Sequence, residues 1–309
     1  MRLVMLFRRP FIELEEALCA AGCQIDHEWR GQNADALVFE FCDAVRKFPK
    51  TWVERLSVRG SIPLVAIARD APWHKGVRKH KLWFAEKLKH FDIYATHSLQ
   101  QAERFGRRTL YLPNAAHISR YNLGRFCLAD LRVRTQYEYQ ISFVGNIDAE
   151  HYPEHRERLN FLLALRERLA RENIRLALID TARGLDEAEQ VRVIQSSQIN
   201  LNYGAACDQG GEKSWGLPER CYGIPACGGF LLCDRRQHAA QDFEPETEWV
   251  DYTDLDSCVA RIRHFLANPG DARDIAEAAY KKVVLSHTYR NRAESLISFI
   301  AQWKKDEYA

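Results

Sequence analysis

Apolar residues in this chain gather in short unbroken runs, and between those runs they recur at helical spacing. Leu3–Phe7, Ala36–Cys42, Pro63–Arg69, Asp92–Thr96 and Thr109–Leu112 are the runs of the first third. Between them, Phe11–Ala21 sets Leu14, Leu18 and Ala21 on one helical face, and residues 44–58 and 77–90 also read as helices. Strands that are apolar throughout, rather than at alternate positions, are buried on both faces. Alternating with amphipathic helices, they predict a mostly parallel sheet covered on both sides. The rhythm lapses over 117–138, which is polar, basic and without a period. It resumes with a strand at Tyr139–Asn146 and a charged helix over 154–171. That helix has Leu159, Leu162, Leu163, Leu165 and Leu169 as its apolar positions, and Arg156 and Arg158 are assigned to its exposed side. Strand Arg175–Ile179, helix 185–196, strand Ile199–Tyr203 and a helix–turn–strand over 220–234 follow. The tail is helical at 255–267, 271–285 and 289–304, with Leu296, Ile297, Ile300 and Trp303 on one face.

The pattern predicts two α/β halves. An N-terminal Rossmann-like domain covers 1–125, a link 126–138 and a second Rossmann-like domain 139–288, and a terminal helix at 289–309 is placed to pack back towards the first domain. Ligands of open parallel sheets sit at the carboxyl ends of the strands, so two such sheets are expected to face a cleft. The length of 309 residues agrees with two domains. A formal net charge of +2 gives no global field for nucleic acid, and no nucleic-acid partner is expected. The nine cysteines are odd in number and scattered, without zinc spacing. They read as small buried apolar residues of a reducing cytoplasm rather than as metal ligands or nucleophiles. The apolar run near the N-terminus is too short for a signal core, and no stretch approaches the ~20 apolar residues of a spanning helix.

Three segments carry candidate chemistry. Arg220-Cys-Tyr-Gly-Ile-Pro-Ala-Cys-Gly-Gly-Phe-Leu-Leu-Cys-Asp234 joins a short helix to a Gly-Gly turn and an apolar strand. A cation near the helix start, with glycines that let backbone approach a ligand, suits an anionic group such as a diphosphate. Asp70-Ala-Pro-Trp-His74 follows an apolar strand. Asp70 or His74 is placed to act as a general base, and a plain turn is the competing reading. Residues 74–90 carry Lys75, Arg78, Lys79, Lys81, Lys87 and Lys89 against Glu86 alone. That stretch is either a solvated helix face or a contact for an anionic or phosphorylated acceptor, or for an anionic membrane reached from the cytoplasmic side of an inner membrane, with Trp83 and Phe84 as anchors.

The second half resembles the C-terminal domain of GT-B glycosyltransferases, in particular the CgeB-like, spore-maturation-protein group. Ser142-Phe-Val-Gly-Asn146, Gln198-Ile-Asn-Leu-Asn-Tyr203, Leu217–Asp234, Trp249-Val-Asp-Tyr252 and His287-Thr-Tyr-Arg-Asn-Arg-Ala293 carry the likeness, in that order. Tyr111-Leu-Pro-Asn-Ala115 is similar to the element that ends the acceptor domain. The resemblance implies an enzyme without a bound metal or cofactor, the nucleotide-sugar being its substrate, that moves a sugar from that donor to an acceptor. By motif position Arg220 would stabilise the leaving diphosphate, with Gly145, Gly228 and Gly229 letting backbone approach the donor. Local chemistry adds Lys213 and Trp215 of the glycine-rich loop 208–215, and Asn146 as a turn residue that could also touch the donor. The family pattern has a glutamate where this chain has Gly223. Glu219, one turn earlier, is its candidate substitute. The alternative implied by Gly223 is a catalytically impaired homologue that binds nucleotide or a partner.

Overall fold

The computed structural model describes residues 1–48, 50, 58, 61–69, 78–99, 101–152, 155–181, 184–204 and 216–308. The chain forms two compact units. The first holds Met1–Asn114 and Tyr289–Ala309, and the second holds Ala115–Ala206 and Gly216–Thr288. Residues 115–138, including the stretch without a period, lie in the second unit.

In the first unit six parallel strands stand in the order β2-β1-β3-β4-β5-β6. They are β1 (Arg2–Leu6), β2 (Gln24–Asp26), β3 (Ala36–Glu40), β4 (Leu64–Ala68), β5 (Phe91–Thr96) and β6 (Gly106–Tyr111). Helices α1 (Ile12–Ala20), α2 (Phe41–Arg46) and α3 (Lys79–Leu88) connect them. The apolar run at 36–42 does not stay extended to its end. The Glu40 side chain accepts from the amides of Cys42 (3.1 Å) and Asp43 (2.5 Å), which caps α2 and turns Phe41 and Cys42 into it. Phe41 then packs edge-on against Tyr94 (centroids 5.0 Å apart) and Phe105 (5.2 Å) in the core. β2 is three residues of mixed polarity and leaves no apolar run to predict it. β6 starts earlier than its apolar residues, at Gly106, where a Cβ would stand 2.7 Å from that of Tyr94.

The terminal helix, numbered α11 (Tyr289–Tyr308) in chain order, packs on α1 of the same unit. Tyr289 meets Phe11 edge-on at 5.5 Å, and Leu296, Ile300 and Trp303 are buried. Arg292, also buried, donates from Nε to the Pro113 carbonyl (2.9 Å) and from Nη2 to that of Asn114 (3.0 Å). Lys304 pairs with Asp35. Burial works to raise the Asp35 pKa, but hydrogen bonds from Lys304 and the Arg2 amide outweigh it and hold the carboxyl below its ordinary value. A depressed carboxyl contributes stability above its unfolded pKa and loses it as pH falls through the folded one. Asp35→Asn should therefore cost under about 1 kcal/mol at neutral pH, since the pair is part-exposed. The penalty should vanish in acid, as melting temperatures of the two proteins across pH would show.

The second unit holds five parallel strands in the order β11-β10-β9-β7-β8. They are β7 (Tyr139–Gly145), β8 (Leu176–Asp180), β9 (Ser197–Asn202), β10 (Leu231–Asp234) and β11 (Val250–Tyr252). Its helices are α4 (Leu128–Arg132), α5 (Arg156–Ala170), α6 (Glu187–Gln195), α7 (Arg220–Ala226), α8 (Ala239–Asp242), α9 (Leu255–Ala267) and α10 (Pro269–Ser286). α4 arises inside the stretch that has no period. Its Arg132 bonds to Asp274 and Glu277 of α10 at 2.6 Å each. From β7 the chain goes outward to β8 and returns across β7 to β9, so the winding reverses between β7 and β9. The two connections there leave in opposite directions and open a crevice at the carboxyl ends.

Candidate active site

A pocket of about 250 Å³ lies in that crevice. Val144 and Gly145 of β7, Leu201 of β9, Arg220 and Gly223 of α7, and Glu219 just before that helix are among its walls. Gly145 is dictated by contact: a Cβ there would lie 2.3 Å from Arg220 Nη1 and 3.0 Å from Phe143 Cζ. The missing side chain lets the guanidinium lie against the end of the strand. Arg220 Nη1 donates to the Val144 carbonyl (3.0 Å), and its Cζ stands 5.6 Å over the Phe143 ring. Among the described residues no carboxylate pairs with it. Burial lowers its pKa, partly offset by the neighbouring Cys221 and Cys233 sulfurs and by Asp234. A guanidinium so lowered is still a cation at neutral pH.

Beneath the pocket a buried polar network ties β7 to β9. Ser197 Oγ donates to Ser142 Oγ (2.8 Å), and Asn200 Nδ2 donates to the carbonyls of Ile194 and Phe230 (both 3.2 Å). Beside it, Asp234 accepts from Asn202 (2.9 Å) and the Gly204 amide (3.0 Å) and pairs with buried Arg236 (2.8 Å). The acid that ends β10 thus holds the exit of β9. Tyr222, next to Arg220 but one, points away from the pocket into the core and donates to Asp242 (2.6 Å).

Of the residues singled out from sequence, Gly145, Glu219 and Arg220 come together in this pocket. Asn146 follows Gly145, and its side chain closes a local turn by accepting from the Asp148 amide (2.9 Å). Gly228 and Gly229 are not among the pocket walls. Gly228 is left-handed (φ 74°) and lets Leu131 and Leu123 approach, and a Cβ on Gly229 would meet Ile194 at 2.7 Å. Their freedom serves packing. Asp70, His74, Lys213 and Trp215 lie outside the described residues; the strand leading to Asp70 is described as far as Arg69, whose guanidinium sits 4.0 Å over the Phe11 ring. Among the described residues no cluster of His, Cys, Asp and Glu is arranged to hold a metal.

Arg158 overturns its expectation. It is 3% exposed and donates to the carbonyls of Tyr203 (3.0 Å) and Asn146 (2.7 Å), the residues just past β9 and β7. It braces the backbone that frames the pocket. Arg158→Met should lower stability by about 2 kcal/mol, because two charge-assisted bonds go and carbonyls are stranded; a denaturant midpoint measures this. Sequence reading also missed Tyr121, Gln190 and Asn200, which border the pocket. Asn200 and Asn202, which alternate with the apolar Ile199 and Leu201 at the end of β9, were the available signal.

The profile of the glycosyl transferase-like family matches residues 107–298, well over half of the chain. The chain belongs to this family. Among solved structures it is similar to sucrose-phosphate synthase of Thermosynechococcus elongatus, at 12% identity and a TM-score of 0.68, over 98% of this chain and 99% of that one. Alr3699/HepE of Anabaena, solved with UDP, matches at 13% identity and a TM-score of 0.64, over 98% and 100%. A glycosyltransferase of Rickettsia africae matches at 8% and 0.63, over 97% of each. These likenesses show the fold, which is that of GT-B glycosyltransferases. No curated protein sequence matches the chain.

Proposed function

We propose that this family member transfers a glycosyl group from a nucleotide-sugar to an acceptor hydroxyl, with Arg220 as the cation at the leaving diphosphate. The observation that carries the reading is Arg220 itself: a guanidinium without a carboxylate partner among the described residues, lodged at the point where the parallel sheet reverses its winding. The Anabaena neighbour, solved with UDP and with UDP-glucose, supports a nucleotide-sugar as donor. In the reaction the acceptor oxygen bonds to the anomeric carbon while the bond from that carbon to the diphosphate oxygen breaks. The electron pair leaves with the nucleoside diphosphate, and the acceptor proton passes to a base. A fixed cation at that oxygen is stronger in the transition state than in the ground state. This scheme needs no metal, because Arg220, with Lys213 from its loop, neutralises the diphosphate. Asp70 or His74 takes the role of base on sequence grounds. Within the family, the motifs over 140–300 favour the CgeB-like group.

For the acceptor side we assign α3 as the contact for an anionic or phosphorylated acceptor or an anionic membrane surface. Trp83 (52% exposed), Phe84 (40%) and Leu88 (39%) share one side with exposed Lys79, His80 and Lys87, and Glu86 is taken up by Arg104. Among the described residues no helix is long and apolar enough to cross a membrane.

The test is a panel of uridine, guanosine, adenosine and thymidine diphosphate sugars, followed for donor hydrolysis and for nucleotide binding by calorimetry. Turnover of at least one donor, lost in Arg220→Ala, is expected. The second reading, a non-catalytic nucleotide binder, is motivated by the missing side chain at Gly223. Binding without turnover of any donor would decide for it.

A further inference from the structure

Tyr121 packs against the hydrophobic cluster around Ala116, Tyr222 and Cys227 and also stands in the pocket wall. Its ring is half-buried, with Cγ, Cδ1 and Cδ2 at 3.4–3.6 Å from the point that a Cβ on Gly223 would occupy. Its hydroxyl donates to Gln190 Oε1 (3.0 Å), and Gln190 Nε2 in turn donates to the Leu185 carbonyl (3.1 Å). The Tyr121 amide closes a turn on the His117 carbonyl (2.8 Å). The ring is thus held at Gly223 and, through its hydroxyl, at Gln190, while it borders the pocket. Glu219, the residue that leads into α7, is four residues before Gly223, whose amide donates to its carbonyl (2.9 Å), and Arg220 lies one turn before Gly223 on the helix. This segment therefore offers a guanidinium, a carboxylate and, through the bare backbone at 223, a seat for an aromatic ring.

We propose that Tyr121, seated on Gly223, is the platform on which the base of the nucleotide stacks, with Glu219 beside it for the ribose hydroxyls. The inference rests on the donor reading of the same pocket. Gly223 on this account is a specificity element. A methyl at 223 would only touch the ring, at 3.4 Å, whereas a longer side chain there would displace it, so glycine keeps the ring in place in the wall of the pocket. Every nucleobase has a π-face, and stacking on an aromatic side chain is worth about a 5- to 150-fold change in affinity.

The experiment is calorimetric titration of the full chain with UDP, ADP, GDP and dTDP, and separately with inorganic pyrophosphate. Tyr121→Leu keeps bulk but removes the π-face. It should weaken the best-bound nucleoside diphosphate about 10-fold or more and leave pyrophosphate within about twofold. Tyr121→Phe should bind nearly as the parent does, because the hydroxyl only orients the ring. Gly223→Leu, which fills the seat, should behave as Tyr121→Leu does. Unchanged nucleotide affinity in Tyr121→Leu overturns the platform. So does tighter binding, which would make the ring a plug, or an equal loss for pyrophosphate, which would make it scaffolding. If the parent binds none of the four nucleotides, the donor reading itself fails. Parent binding that Tyr121→Leu does not alter sinks the platform alone. Melting curves of each variant confirm that a folded protein was titrated.

Discussion

Replacing Arg220 with methionine is expected to lower the rate of glycosyl transfer by about 10²- to 10³-fold, the usual cost of removing one fixed donor from a site of developing negative charge. The reason is local. The guanidinium lies against Gly145 and donates to the Val144 carbonyl, and among the described residues it has no carboxylate partner. Its charge is therefore available to a ligand. Methionine keeps an apolar stem of similar length and removes the fork, so the melting temperature should move little. Lysine should rescue poorly, because a single ammonium cannot hold the strand-end carbonyl and two phosphate oxygens in one plane. Turnover and pyrophosphate affinity, measured together, separate the loss of charge from the loss of fold. A variant with full turnover would remove Arg220 from the mechanism.

Gly145→Ala should come close to the same deficit without touching a charged group. The added methyl would stand 2.3 Å from Arg220 Nη1 and 3.0 Å from Phe143 Cζ, and the guanidinium is the more movable of the two. Displacing it by about 1 Å is enough for a loss on the order of 10²-fold. The sharper check is the double variant. With Arg220 already replaced by methionine the methyl has no guanidinium to displace, so adding it should cost less than about threefold. The two single losses should therefore be strongly non-additive. Additive losses would mean that Gly145 acts on something other than Arg220.

The strands that run through the core were legible because burial on both faces leaves an unbroken apolar run, as at Leu3–Leu6, Ala36–Phe39 and Leu64–Ala68. β2 was not legible, since three residues at a sheet edge need no such run. Nor was α4, a helix of five residues too short to show a period, held by buried Leu131 and by the ion contacts of Arg132. The arginines show the same limit. Arg158 looks from its neighbours like one more solvated charge of a helix rich in them, yet it is the residue that braces two strand ends.

Short-range pattern alone determined the alternation of strands and helices, the parallel sheets and the motif that carries Arg220, because hydrophobic period and turn chemistry act over a few residues. Which glycines face a ligand was decided only by the tertiary structure. Gly145 borders the pocket, whereas Gly228 and Gly229 serve the packing of Leu131 and Ile194. The choice of Tyr121 as the neighbour of Gly223, across about a hundred residues of chain, was also tertiary. Both depend on the approach of surfaces distant in sequence, and the crevice that gathers them exists only where the sheet reverses its winding.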